Sequence, residues 1–243
     1  MEKHQEYANR IFVACQKRWP ITSLHPFGTL VEQLGETGDI RAETDALLRD
    51  NNFGPDEFSD AVLKSVGFED WSVEHDGDSA LVGRRDLRSE NTFTIDPNGS
   101  LELDDALHIK TLDDGTVEIG MHVADITHFV KTNSLVDREA KKRGTGVYLM
   151  NRTVSMLPSR LATDICCLSP GQERYTVSVI FRVDAESGHV FEDDTWIGKT
   201  VIKSTGKLTY NEVDTILQGG DKSESPSISV TDLKTLHVSI KPG

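Results

Sequence analysis

Ala106-Leu-His-Ile-Lys110 and Thr116-Val-Glu-Ile-Gly-Met-His-Val123 both place apolar residues on alternate positions, with Asp113-Asp114-Gly115 between them. A side-chain period of two belongs to a strand, and an Asp-Gly step between two such runs reverses the chain. The pair predicts an antiparallel hairpin. Upstream, Thr92-Phe-Thr-Ile95 reads as a strand running into Asp96-Pro97. Downstream, residues 174–183 and 196–203 read as two more strands, antiparallel through a turn at Ser187-Gly188. Residues 134–143 form a polar helical pattern, and residues 209–218 a capped helix stopped by Gly219-Gly220. The expected class is α+β, with a mixed sheet in the second part of the chain.

The first part is less regular. Residues 10–15 and 28–34 are short aliphatic or β-branched runs separated by Pro20 and Pro26, and read as strands. Two strands alone are not stable, so they belong to a larger sheet or a piece of it is missing. Residues 39–50 predict a helix with Asp39 as N-cap and Ile40, Thr44, Leu47 and Leu48 at helical spacing. Pro55-Asp56-Glu57 opens a second, with Phe58, Ala61, Val62 and Val66 on one face. Residues 68–92 are charged and irregular, the expected domain boundary. A Ser/Pro-rich stretch at 221–229 leads to residues 231–236, which begin like an amphipathic helix.

At 243 residues and 37% hydrophobic side chains, the chain has the composition of a folded protein. No apolar run approaches the roughly 20 residues that span a bilayer, which excludes an integral helical membrane protein. The polar N-terminus lacks a secretory signal. Cys15, Cys166 and Cys167 supply neither a disulfide framework nor zinc-site spacing, so a cytoplasmic protein without disulfide-linked partners is expected. The net charge of −14 argues against a simple basic nucleic-acid binder. Its distribution is uneven. Residues 96–118 hold seven carboxylates against Lys110, residues 131–174 carry eight cations and four acids, and Lys199, Lys203 and Lys207 stand with no acid across 195–210.

The chemistry concentrates in Asp96-Pro-Asn-Gly-Ser-Leu-Glu-Leu-Asp-Asp105, where Asp96, Glu102, Asp104 and Asp105 fall within ten residues. Pro97 and Gly99 force a loop that can fold back and bring these side chains together. Converging carboxylates disfavour one another's ionisation unless a divalent cation neutralises them, and an all-oxygen set suits Mg²⁺ or Mn²⁺. Such a cation supports in-line phosphodiester hydrolysis. A solvated acidic loop satisfies the same composition.

Thr94-Ile-Asp-Pro97, Asp104-Asp105-Ala106, Gly120-Met-His-Val-Ala-Asp-Ile126, Arg143-Gly-Thr-Gly-Val-Tyr-Leu149, Met156-Leu-Pro158 and Ile165-Cys-Cys-Leu-Ser-Pro170 follow one another in this order. Their order and spacing resemble the catalytic domain of the RNB family, the RNase II and RNase R 3′→5′ exoribonucleases. Residues 19–28 and 43–53 are similar to the eukaryotic cytoplasmic branch, which holds both Dis3-like nucleases and fungal mRNA-binding translational repressors with degenerate sites. The resemblance implies the end of a cold-shock (OB) domain at 1–38, a helical linker at 39–87, and the first half of an RNB domain at 88–243.

Carried over position by position, the resemblance implies that Asp96, Asp104 and Asp105 bind metal and act in catalysis. Glu102 stands where the family has an aspartate. Its extra methylene shifts the ligand oxygens by about an ångström, enough to cost on the order of a hundredfold in rate. Tyr148 matches the aromatic that stacks on the 3′-terminal base. Lys141, Lys142, Arg143 and Arg152 are candidates for RNA phosphates. His122 and Asp125 read as structural, and Cys166 and Cys167 as core. The resemblance implies Mg²⁺-dependent (or Mn²⁺-dependent) hydrolysis of single-stranded RNA, impaired here by Glu102 and by missing downstream elements. The alternatives are an mRNA-binding regulator that does not cut, or an inert fragment.

Overall fold

The computed structural model describes residues 7–218; the helix expected at 231–236 and the Gly219-Gly220 stop lie outside them. The chain folds as two compact units. One contains residues up to Leu63 together with Arg138–Met156, the other Lys64–Asp137 and the chain from Leu157 onward. No helix among the described residues is long and apolar enough to cross a membrane.

In the first unit β1 (Arg10–Arg18) and β2 (Phe27–Glu36) pair antiparallel, longer than the apolar runs that announce them. They form a two-stranded sheet, and most of its residues are exposed. Helix α1 (Ile40–Asp50) starts where expected: the Asp39 carboxylate accepts from the Ala42 amide at 2.9 Å. A Cβ on Gly35 would stand 2.7 Å from the Ala42 methyl, so glycine is what lets β2 and α1 approach. α2 (Asp60–Val66) begins later than Pro55 suggests. A short ladder joins β6 (Val147–Tyr148) to β7 (Thr153–Val154).

In the second unit five strands close a barrel. They are β3 (Arg85–Asp96), β4 (Asp105–Thr111), β5 (Thr116–Ala124), β8 (Glu173–Asp184) and β9 (Val190–Thr209). β4 and β5 are the expected hairpin, in register from Asp105↔Val123 to Thr111↔Val117. β5–β8 and β8–β9 continue antiparallel, and β9 returns parallel to β3. This is the α+β architecture that the strand periodicity predicts. Alternation gathers Phe93, Ile109, Val117, Ile119, Val183 and Leu208 on one face of the strands, where Ile216 of α7 (Tyr210–Leu217) joins them. Thr209 and Glu212 form a reciprocal capping box at the start of α7.

A buried polar row runs along the opposite face of the same strands. His108 Nδ1 lies 2.8 Å from His122 Nε2, His122 Nδ1 2.7 Å from Ser178 Oγ, and Ser178 Oγ 2.6 Å from Thr200 Oγ1. At its other end His108 Nε2 lies 3.3 Å from Glu118 Oε1.

The stretch 68–92 differs from its reading as an irregular boundary. It holds α3 (Val73–Asp76), α4 (Asp78–Leu81) and the first half of β3, all grouped with the barrel. Glu74, Asp78, Arg85 and Asp86 are exposed as the reading expects, but Arg84 is paired inside. Arg84 Nη2 donates to Asp125 Oδ2 at 2.7 Å, with both side chains buried, and the guanidinium lies 4.0 Å from the centre of the Tyr175 ring. α5 (Ile126–Phe129) follows Asp125 directly. His128 Nε2 of that turn meets Asp76 Oδ2 at 2.8 Å.

Candidate metal centre

β3 ends at Asp96 and β4 begins at Asp105, so the barrel delivers two of the four carboxylates from its own strands. Between them Pro97 and Gly99, at φ +80°, break the ladder, and Leu103 turns inward to anchor the loop, 4% exposed. Glu102 and Asp104 flank that anchor.

Asp96 is buried, and its Oδ2 has no hydrogen-bond partner among the described residues. Crowding pushes the Asp104 carboxyl above the usual range although the residue keeps contact with solvent. Desolvation is the largest cause, followed by Glu102, Asp105 and Asp96. Asp105 is raised by desolvation and then by Asp96. The four groups therefore share one electrostatic field. They do not close into a cage: among the described residues no three or more His, Cys, Asp or Glu side chains form a group that could hold a metal ion.

Tyr148 on β6 is 75% exposed, which removes the alternative of a core tyrosine. Lys142 on α6 (Leu135–Arg143) is exposed, with its ammonium 3.9 Å from Glu139 Oε2; Lys141 lies beside it on the same exposed end. The two arginines expected to meet phosphates are placed otherwise. Arg143 donates to Glu139 Oε1 and to the carbonyls of Pro55, Asp56, Glu57 and Ser155, and stacks over Phe58 at 3.7 Å. Arg152 donates to Asp56 Oδ2 at 2.6 Å, Asp45 Oδ1 at 2.5 Å and Thr44 Oγ1 at 2.6 Å. Their donors are spent on the protein, tying α1 and the 55–57 turn to the segment that carries Tyr148. That segment and the carboxylates belong to different units.

His122 and Asp125 are both buried and hydrogen-bonded, His122 to His108 and Ser178 and Asp125 to Arg84 and Thr127, not to each other. Burial opposes ionisation of Asp125, but the Thr127 hydroxyl, Arg84 and Lys199 outweigh it and hold the carboxyl below its usual range. Cys166 and Cys167 are buried free thiols, and burial pushes Cys166 up to about 12. Sequence reading passed over Arg84, whose partner stands 41 residues away.

Residues 84–241 match the model of the RNB domain, and residues 1–52 that of the Dis3-like cold-shock domain 2. The chain belongs to the RNB family. DIS3-like exonuclease 2 of Schizosaccharomyces pombe is 40% identical over 219 residues, which are 90% of this chain and 23% of that protein. The solved structure of yeast Ssd1, a pseudonuclease, is 33% identical with a TM-score of 0.77, covering 98% of this chain and 28% of that one. Mycoplasma genitalium RNase R in complex with double-stranded RNA shares the fold, with a TM-score of 0.84 at 24% identity over 95% of this chain and 40% of that one. The chain thus spans well under half the length of each.

Proposed function

We propose that this chain carries the metal-binding carboxylates of a 3′→5′ exoribonuclease acting on single-stranded RNA. Asp96, Asp104 and Asp105, with Glu102, would hold a divalent cation. The observation that carries this reading is the oxygen set itself: a buried Asp96 oxygen without a partner among the described residues, and an Asp104 raised by desolvation first and then by three neighbouring carboxylates. Hard divalent cations relieve such a field and take oxygen ligands. Exonucleases of this family generally depend on a divalent metal; Mg²⁺, with Mn²⁺ as substitute, suits this donor set. When bound, the cation would polarise the scissile phosphate and acidify water.

The protein's own groups would do the rest. Tyr148 offers its exposed ring to the 3′-terminal base, a sequence-blind contact because every base has a π-face. Lys141 and Lys142 offer charge to phosphates, while Arg143 and Arg152 brace that segment. The domain reading is an OB end at 1–38, a linker at 39–87 and RNB from 88. Three free thiols suit the reducing cytoplasm, with mRNA as the substrate pool.

Glu102 favours a second reading, RNA binding without cleavage. One assay separates the two. A 3′-labelled single-stranded RNA is incubated with the protein and Mg²⁺ or Mn²⁺, and label release is followed beside binding. Metal-dependent release that Asp104→Asn abolishes supports the nuclease. Binding with no release, and release gained by Glu102→Asp, supports the degenerate site. No binding at all sinks both.

A further inference from the structure

A cavity of about 430 Å³ opens in the second unit, walled by Val66, Phe68, Phe129, Val136 and Leu161, with Lys131 beside them. That is the size of a small-molecule site, and the lining is mostly apolar, as such sites are. Phe68 and Phe129 meet edge to face, ring centres 5.3 Å apart and planes at 90°. Rings at right angles leave a corner where a flat guest lies parallel to one and edge-on to the other. The backbone of this wall is strained. Phe68 has φ +61°, a left-handed conformation that bulky residues rarely adopt. Arg160, at the start of the helical turn Arg160–Ile165, donates to the carbonyls of both Phe68 and Glu69 and holds them there. Residues held in such conformations cluster at active sites and ligand clamps. The ring so placed is 37% exposed, open to a guest.

Charge selects the guest. The chain carries 40 acidic side chains against 26 basic ones. Two cavities of the first unit reflect that excess, one lined by Glu43 and Asp50, the other by Asp45 and Asp56 among other acids. The described residues that line the Phe68 cavity include no carboxylate. Their one charged group is Lys131, whose ammonium gives one bond to the His128 carbonyl at 2.6 Å and has two further protons to donate. Ser134, also in the lining, accepts from the Asp137 amide at 3.2 Å and has its hydroxyl proton to give. The matching ligand is a flat ring joined to an anion. We propose that this cavity takes one nucleotide of single-stranded RNA, its base in the Phe68–Phe129 corner and its phosphate at Lys131. Aromatic stacking accepts every base, and lysine meets phosphate as a point charge. That the nucleotide belongs to RNA rests on the function proposed above; the fit of base and phosphate does not. The site uses none of the four loop carboxylates and neither Tyr148, Lys141 nor Lys142.

The test follows the methyl resonances of the full 243-residue chain during titration with uridine monophosphate. Shifts should appear at Val66, Val136 and Leu161, and not at Val117 or Val183 in the apolar core of the barrel strands. Uridine, which lacks the phosphate, should bind more weakly. Lys131→Met should bring the monophosphate down to the affinity of uridine and leave uridine unchanged. Phe68→Gly removes the ring and relieves the left-handed backbone, so binding should fall at least about tenfold with the fold intact. Should that variant unfold the chain, Phe68→Leu, apolar but not flat, takes its place under the same criteria. Unmoved methyls, or affinities indifferent to both substitutions, overturn the proposal. So does tighter binding there of N-acetylphenylalanine amide, which would make the cavity an anchor for a protein side chain. Pentauridylate decides the RNA part: it should shift the same methyls, and binding confined to the monophosphate overturns that assignment. RNA bound without shifts at these methyls strikes this inference and leaves the proposed function standing. A retained 3′ label while pentauridylate still shifts them strikes the nuclease and leaves the cavity.

Discussion

Residue type announces charge, but the partner decides what the charge does. Lys142, Arg143 and Arg152 look alike in sequence as cations near Tyr148. The structure separates them, because Asp45 and Asp56, which occupy Arg152, lie about a hundred residues upstream. Arg152→Ala should therefore destabilise the first unit by about 1.5–3 kcal/mol, removing charge-assisted bonds to two carboxylates that Arg41 alone would then serve. Urea unfolding would show the loss, and the charge-preserving Arg152→Lys should recover only part because the fork geometry is gone. Tyr148→Ala acts in the opposite way. Stability should hold, and short single-stranded RNA should bind more weakly by roughly 1–3 kcal/mol. Long RNA, with other contacts, should lose less; equal loss at every length would mean that Tyr148 is no base platform. The carboxylates were legible in the sequence because their spacing is local. The arginine roles were not, because they depend on contacts the fold makes.

At the scale of elements, alternation made β4 and β5 readable, yet it also buries His108 and His122 on the strand face opposite Ile109 and Ile119. One proton arrangement satisfies the row with both rings neutral. His108 Nε2–H donates to Glu118, His122 Nε2–H to His108 Nδ1, and the Ser178 hydroxyl to His122 Nδ1. His122 is pushed down to about 3, by burial first and then by His108. Burial also lowers His108, against the pull of Glu118. In the unfolded chain both return to about 6.5. Below that pH the unfolded state binds protons that the folded barrel refuses. Stability is thus intact above about pH 6.5 and falls as pH drops toward 3, by up to about 1.4 kcal/mol per pH unit from His122 alone. Urea midpoints between about pH 7.5 and pH 4.5 should follow that slope, and His122→Gln should flatten it. A flat profile in the unaltered protein would mean that the row accepts a proton in place. The row also explains Gly120, opposite His108 in the ladder. A Cβ there would stand 2.2 Å from the His108 ring, so Gly120→Ala should cost at least about 1–3 kcal/mol of overpacking.

Over the whole molecule, what escaped the sequence is how the barrel closes. Residues 196–203 read as a strand and residues 209–218 as a capped helix, with residues 204–208 left between them. The chain instead continues as one strand of 20 residues. It pairs with β8 up to Lys203 and with β3 from Thr200, and Gly206 lies opposite Phe93. A barrel closed in this way has no open edge, and its strands share one apolar core. The first unit has neither advantage. Its buried apolar residues are Ala42, Leu48, Val62, Ala140 and Val154, and β1 and β2 leave most of their length exposed. Local opening costs least where few apolar contacts must break. Amide exchange should therefore divide the chain: amides of β1 and β2 should exchange on the order of a hundredfold faster than those of β4 and β5. Deuterium uptake by peptides from residues 10–36 and 105–124 of the same sample gives the comparison directly. Matching protection would show that the two-stranded sheet draws stability from the barrel and opens only with it.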